Sequence, residues 1–240
     1  MHVVPTQPPS GRRARLCDQL LTEAARELLE HDDRVRGLAI DIGFDGGVAH
    51  LTGTVDRPEQ LSMLRELLGR LVGVHAVWDR VAVAGHRPVV LDLGCGATKQ
   101  YPSNIGVDRR RTSAVDLVAD IGDGLPFIDE SVDRIFAVHV LEHLVDFVEI
   151  VDECHRVLCR GGVLHVLGPW WRHVNAVADP THVRLLDVQT IKGICEQPGR
   201  MRRWYPLHAS CDGATVFADL TPVKEPADEP DEQRLARFFD

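Results

Sequence analysis

Val89-Val90-Leu91-Asp92-Leu93-Gly94-Cys95-Gly96 is the stretch that decides how the rest of the chain folds. An apolar run that stops abruptly at Gly-x-Gly reads as a buried parallel strand entering a tight turn, where the missing Cβ lets backbone approach a ligand. Downstream, Ile105-Gly106-Val107-Asp108 reads as a second short strand ending in a carboxylate. In open α/β sheets ligands sit beyond the carboxyl ends of the strands, so an acid there can accept hydrogen bonds from both hydroxyls of a ribose. A dinucleotide site would carry a third glycine where Thr98-Lys99 stand, because a pyrophosphate needs the helix N-terminus. That glycine is missing, and no Gly-Lys-Ser/Thr phosphate loop follows.

Further motifs follow in order: Ala119-Asp120-Ile121, Val140-Leu141-Glu142-His143-Leu144, and Arg156-Val157-Leu158-Cys159-Arg160-Gly161-Gly162. Together with Leu-Asp-Leu-Gly-Cys-Gly and Gly-Val-Asp, they resemble class I S-adenosylmethionine (SAM)-dependent methyltransferases over about residues 87–222, within an expected domain of 86–222. The resemblance implies a Rossmann-like, mostly parallel sheet closed by an antiparallel pair. It also implies a cofactor with a ribose, an adenine and a charged methionine tail but no phosphate, which accounts for the missing glycine. Carried over residue by residue, the cofactor site is Asp92, Leu93, Gly94, Cys95, Gly96, Asp108, Asp120, Ile121 and His139. Asp108 takes the ribose hydroxyls, and Asp120 and Ile121 the adenine. Between Gly96 and the second strand only a short turn fits, where the family usually has its first helix.

The N-terminal part reads differently. Residues 1–12, rich in Pro, Gly and Arg, predict a disordered leader. Leu16, Leu20, Leu21, Ala24 and Leu28 recur at helical spacing. Two alternating runs around Asp45-Gly46-Gly47 predict a hairpin; Asp56-Arg57-Pro58 predicts a capped helix start; Ala76–Val83 predicts a last strand. This order resembles the BON domain over about residues 16–84, within an expected domain of 13–85, and the resemblance implies a small α+β module for docking to a protein partner or for self-association. Gly85-His86-Arg87-Pro88 is the expected boundary. Beyond Pro222 an acidic tail, 223–240, is expected, with a short helix at Arg234–Phe239.

The 240 residues carry 27 Lys+Arg against 36 Asp+Glu, a formal charge of -9, which opposes nonspecific binding to nucleic acid or anionic membrane. No long apolar run predicts a membrane span. Six scattered cysteines without a Cys-x-x-Cys pair predict reduced thiols in a cytoplasmic protein.

Methyl transfer from a sulfonium is a displacement on an already activated carbon, so the protein contributes mainly positioning. A base is needed when the nucleophile holds a proton, as a hydroxyl does. His143 and His182 are the candidate catalytic residues, since imidazole is poised near neutral pH. The segment Pro169–His182, with Trp170, Trp171 and Arg172, is expected to cover the acceptor. His139-Val-Leu-Glu142-His143 also resembles a Glu-x-x-Glu-His element that holds Mg²⁺ in some O-methyltransferases. Because His139 replaces the first Glu and a hard cation prefers oxygen, this reading assigns no metal. The expected activity is O-methylation of a small-molecule or glycan acceptor. The alternatives are a noncatalytic SAM-fold partner subunit and a nucleic-acid methyltransferase, the latter opposed by the acidic charge and by the absence of Asn/Asp-Pro-Pro-Tyr/Phe after the fourth strand.

Overall fold

The computed structural model describes residues 11–196 and 202–226. The expected leader lies outside them apart from its last two positions, and helix α1 (Arg12–His31) already includes Arg12. The acidic tail beyond residue 226 and the Arg234–Phe239 helix also lie outside the described residues. The chain divides into two compact units, Met1–Pro88 and Val89–Asp240.

In the first unit, strands β1 (Ala39–Asp45) and β2 (Val48–Val55) form an antiparallel hairpin in which Asp45 pairs with Val48. The two linking residues, Gly46 and Gly47, have φ 58 and 77, as a two-residue hairpin turn demands. Asp18 of α1 closes that turn, accepting from Gly46 N at 3.1 Å and from Gly47 N at 2.9 Å. Helix α2 (Pro58–Gly69) follows, and β3 (Ala76–Asp79) and β4 (Ala82–Val83) both pair parallel with β2. The single strand expected over Ala76–Val83 is therefore broken at Arg80-Val81. The α2 cap also differs from expectation: the Gln60 side chain accepts from the Asp56 and Arg57 backbone N–H groups, so Gln60 rather than Asp56 closes the helix start. Leu21, Ala25, Val35, Leu51, Leu64 and Leu68 form this unit's core.

The second unit is one seven-stranded sheet in the order β10-β11-β9-β8-β5-β6-β7. Its strands are β5 (Val90–Leu93), β6 (Ile105–Asp108), β7 (Leu117–Val118), β8 (Val132–Val138), β9 (Leu158–Pro169), β10 (Arg203–Cys211) and β11 (Thr215–Val223). Strands β5 to β9 run parallel; β11 lies antiparallel between β9 and β10. The order reverses at β5, with β6 on one side and β8 on the other, which is where doubly wound sheets bind their ligands.

The short first connection expected after Gly96 is not alone in lacking a helix. The connections 94–104, 109–116 and 119–131 contain no α-helix, only turns and a 3-10 turn at Ile121–Asp123. Carboxylates brace these connections instead. Asp92 Oδ2 accepts from Gln100 N at 2.6 Å and Asn104 Nδ2 at 3.1 Å, Asp116 Oδ2 from Gly106 N at 2.8 Å and Lys99 Nζ at 2.8 Å, and Asp133 from Val89 N at 2.8 Å. Each satisfies a backbone donor, Gln100 N inside the first connection and Gly106 N and Val89 N at the strands beside these connections.

Helix α3 (Phe147–Val157) precedes β9, and α4 (Val174–Ala178) and α5 (Val188–Glu196) follow it. Arg160-Gly161-Gly162 has the look of a helix C-cap signal, with glycines just past an amphipathic run, but it does not end α3. The α3 cap is Leu158 in extended geometry, and the glycines lie inside β9, next to the register shift between Val132 and Arg134 of its neighbour. Leu91, Leu93, Val107, Ile135, Val151 and Leu164 lie in the core of this unit.

Candidate active site

Gly94 and Gly96 turn the chain at the end of β5 with φ 57 and 55. A Cβ on Gly94 would stand 2.9 Å from Val140 Cγ2, so the turn and the exit of β8 are packed together. At Gly96 nothing lies within 4 Å of that position, leaving bare backbone against open space. Gly96 N donates to Asp108 Oδ2 at 2.9 Å and Arg110 N to Asp108 Oδ1 at 2.8 Å, while Thr112 Oγ1 donates to Gly96 O at 2.5 Å. Asp108 is 8% exposed. A carboxylate offers about four lone-pair sites, so each oxygen keeps capacity for a hydroxyl donor after holding its backbone N–H.

Asp92 and Leu93 are buried side chains of β5. Burial pushes the Asp92 carboxyl up to about 6, opposed by the donors from Gln100 and Asn104. Cys95 is pushed up to about 11 by burial and by the nearby Asp92 and Asp108 carboxylates, so it is a neutral thiol packed near Gly106. Asp120 is exposed and caps the 3-10 turn through Gly122 N at 3.0 Å, and Ile121 is buried beneath it. Adjoining this turn is a cleft of about 450 Å³ lined by Ile121, Asp123, Glu149 and Arg202 among others.

His139, at the end of β8, holds φ 54, a left-handed conformation uncommon outside glycine. Its Nδ1 donates to Glu142 Oε1 at 3.0 Å. Glu142 is fully buried, and its backbone carbonyl accepts from Val183 N at 2.8 Å and Arg184 N at 3.1 Å. Those two bonds draw the segment after β9 across the end of β8, bringing together two histidines far apart in sequence. The rings of His143 and His182 meet edge to face with centroids 4.7 Å apart. His143 Nδ1 faces Thr181 Oγ1 at 3.0 Å and Thr181 O at 3.3 Å, and His182 Nδ1 faces Ala176 O at 3.1 Å. A backbone carbonyl only accepts, so Nδ1 carries the proton in both rings and Nε2 presents the lone pair.

The two tryptophans divide their roles. Trp170 packs on the core and donates from Nε1 to Asp187 Oδ2 at 2.8 Å, while Trp171 is 41% exposed with the Arg172 guanidinium 4.6 Å from its ring centre. Val174, Val177 and Val183, on the segment that carries His182, are also exposed. The sequence reading missed the structural weight of Glu142, Thr181 and Asp116. Only Thr181 had a local signal, the Asp179-Pro180-Thr181 turn, in which Asp179 Oδ1 accepts from Thr181 N at 2.8 Å.

This arrangement is that of a Rossmann-like, mostly parallel α/β domain, with a glycine turn and a nearly buried carboxylate where the strand order reverses. Residues 91–166 match the family model described as a methyltransferase domain, and residues 18–85 match that of the BON domain. Residues 18–85 are thus similar to a BON domain and residues 91–166 to a methyltransferase domain, in that order along the chain. A curated relative, an uncharacterised 37.1 kDa protein in transposon TN4556 of Streptomyces fradiae, is 31% identical over 188 residues, covering 67% of this chain and 50% of the relative. The chain thus spans about half the length of that relative. Among solved structures, a SAM-dependent methyltransferase from Thermotoga maritima described as a possible histamine N-methyltransferase is 17% identical, covering 57% of this chain and 83% of its own, with TM-score 0.45. A SAM-dependent methyltransferase from Aquifex aeolicus is 16% identical over 57% of this chain and 82% of its own, with TM-score 0.44. Among the described residues no helix is long and apolar enough to cross a membrane.

Proposed function

We propose that this chain transfers a methyl group from SAM to an oxygen of a small-molecule or glycan acceptor held beside His143 and His182. The observation that carries the reading is Asp108, a nearly buried carboxylate at the end of β6 whose Oδ2 holds the Gly96 turn, whose Oδ1 holds Arg110 N, and whose oxygens keep lone pairs for two hydroxyls. Bound SAM would supply a methyl group already activated by its sulfonium. Gly94, Cys95 and Gly96 bare their backbone to it, Asp108 receives the ribose hydroxyls, and Asp120 and Ile121 border the adenine. Asp92 and Leu93 act from beneath, bracing the turn. His139 belongs to the rim through its unusual backbone.

At the acceptor end, the Nε2 atoms of His143 and His182 are the groups suited to handle the hydroxyl proton. Trp171 and the exposed valines near it offer flat apolar walls, as ring or sugar acceptors require. The BON domain we read as a docking or self-association module, with domain limits near 13–85 and 86–222. A cytoplasmic setting is supported by six cysteines that are all free thiols.

Calorimetry with SAM tests the cofactor half of this reading. Replacing Asp108 by Ala removes two hydrogen bonds to a charged group and is expected to weaken SAM by about 2 to 4 kcal/mol, with circular dichroism checking that the fold survives. If the parent protein fails to bind SAM, the methyltransferase reading falls. Parent-like binding by Asp108→Ala would remove Asp108 from the site.

A further inference from the structure

The acceptor end of the site contains an arrangement that proton transfer alone does not explain. Glu142 is 0% exposed, and its Oε2 has no hydrogen-bond partner. Leaving a carboxylate oxygen buried and unpaired is costly, and buried charges are normally paired or bound to metal. His139 fixes the other oxygen at 3.0 Å, and the Gly168 backbone passes close to Oε2, since a Cβ there would stand 3.3 Å from it and 2.5 Å from Leu186 Cδ1. The donor atoms of Glu142, His143 and His182 all lie within 4.8 Å of one another.

From these contacts we infer that Glu142, His143 and His182 form a binding site for one divalent transition-metal ion of the zinc type. The tautomers support it. Both imidazoles have Nδ1 against a backbone carbonyl, Thr181 O and Ala176 O, leaving both Nε2 lone pairs available. A metal-bound histidine is held the same way, with its second nitrogen donating to a carbonyl or carboxylate that fixes ring and tautomer. Asp179 Oδ2 is 3.8 Å from His182 Nε2, beyond hydrogen-bond distance, so it does not consume that lone pair. His139 is to Glu142 what the two carbonyls are to the histidines. It is a positioning residue, and the sequence change that argued against a hard cation at this element leaves a two-imidazole, one-carboxylate set.

Such a set suits zinc and its neighbours rather than Mg²⁺ or Ca²⁺, which take oxygen ligands. With Zn–N and Zn–O distances of about 2.1 Å, small side-chain rotations bring the three donors onto one ion and leave a coordination position open. A hydroxyl placed there would become more acidic, so that it would lose its proton to solvent water while both histidines stay bound to the ion. That catalytic consequence rests on the proposed methyl transfer, whereas binding of the ion does not.

The test uses untagged full-length protein stripped with a chelator, then titrated with Co²⁺ and followed by visible absorption, thermal unfolding and, in parallel, SAM calorimetry. The expected result is one Co²⁺ per chain, displaced by Zn²⁺, with a rise in Tm. Glu142→Gln and the His143→Ala, His182→Ala double variant should lose both signals while binding SAM like the parent. His139→Ala should weaken Co²⁺ by about 10- to 100-fold, as expected for an outer support of a ligand. Without metal, Glu142→Gln should unfold at a temperature no lower than the parent, because it removes the unpaired buried carboxylate.

Equal Co²⁺ binding by parent and ligand variants would overturn the site, as would tighter binding of Mg²⁺ than of Zn²⁺ or Co²⁺. A parent that binds SAM but no Co²⁺ refutes the metal site and spares the methyltransferase reading. A parent that binds Co²⁺ at these ligands but not SAM does the reverse.

Discussion

The two glycines after β5 hold nearly the same backbone angle for different reasons, and the difference can be measured. Gly94, at φ 57, also excludes a side chain because Val140 Cγ2 would lie 2.9 Å from its Cβ, whereas Gly96, at φ 55, faces open space. Gly94→Ala should therefore cost about 1 to 3 kcal/mol in urea unfolding, and adding Val140→Ala should recover the steric part. For Gly96→Ala the conformational cost is about 1 kcal/mol, so it should remain folded. Its effect should appear in SAM calorimetry, as weaker binding, because the new methyl occupies the bare face of the turn. A Gly96→Ala protein with parent-like SAM affinity would show that the cofactor does not approach this backbone. Cys95, between them, is held neutral by burial and neighbouring carboxylates, so thiol reagents should modify it slowly at neutral pH.

At the scale of elements, α3 holds together what the missing crossover helices leave loose. Its inner face buries Ile150, Val151, Cys154 and Val157. From its last turn Arg156 donates to Phe127 O at 2.9 Å and Leu125 O at 2.8 Å while pairing with Glu153, so one side chain pins the connection into β8. The guanidinium holds the Glu153 carboxyl down at about 2. One residue earlier, His155 is buried against Trp204 and donates from Nε2 to Val223 O at 3.3 Å.

Burial and the nearby Lys224 and Arg202 charges lower the His155 pKa to about 4, so the folded protein keeps this imidazole neutral while the unfolded chain protonates it near its ordinary value of 6.5. Between those values the unfolded state binds more protons, so stability falls as pH drops from about 6.5 to about 4. The contribution is about 2 kcal/mol, allowing for partial access to water. Urea unfolding at pH 7 and pH 4.5 checks the sign, and His155→Gln should shrink the difference between the two. An unchanged difference would assign the acid sensitivity elsewhere.

For the molecule as a whole, the two units have separate cores, one around Leu51, Leu64 and Leu68 and the other around Leu91, Ile135 and Leu164. Each sheet also closes within its own unit. Expressed alone, residues 89–240 should unfold cooperatively and bind SAM with unchanged affinity, and residues 1–88 should fold without it. Calorimetry and urea unfolding on the two fragments read this directly. A fragment beginning at Val89 that fails to fold would mean that the halves depend on each other for stability.

Local sequence was enough for the parts that depend on short-range physics. The Val89–Gly96 strand and turn, the strand ending at Asp108 and the Gly46-Gly47 hairpin were legible, because buried strands read as apolar runs and tight turns demand glycine, whereas the antiparallel closing pair was expected only from the family resemblance. Helix α5 and the extension of β9 back to Leu158 were not. Val188–Glu196 has little local signal beyond its spacing, and Arg160-Gly161-Gly162 satisfies a helix-end pattern while tertiary pairing with β8 draws it into the sheet. The meeting of His143 and His182 lay further still from local reading. His143 and His182 were named separately as bases, but their contact depends on two backbone bonds from residues 183 and 184 to the Glu142 carbonyl, and the burial of Glu142 depends on what closes over it. Turn chemistry and strand burial are written within a few residues, whereas the meeting of side chains from distant segments is decided only when the sheet order brings those segments to one edge.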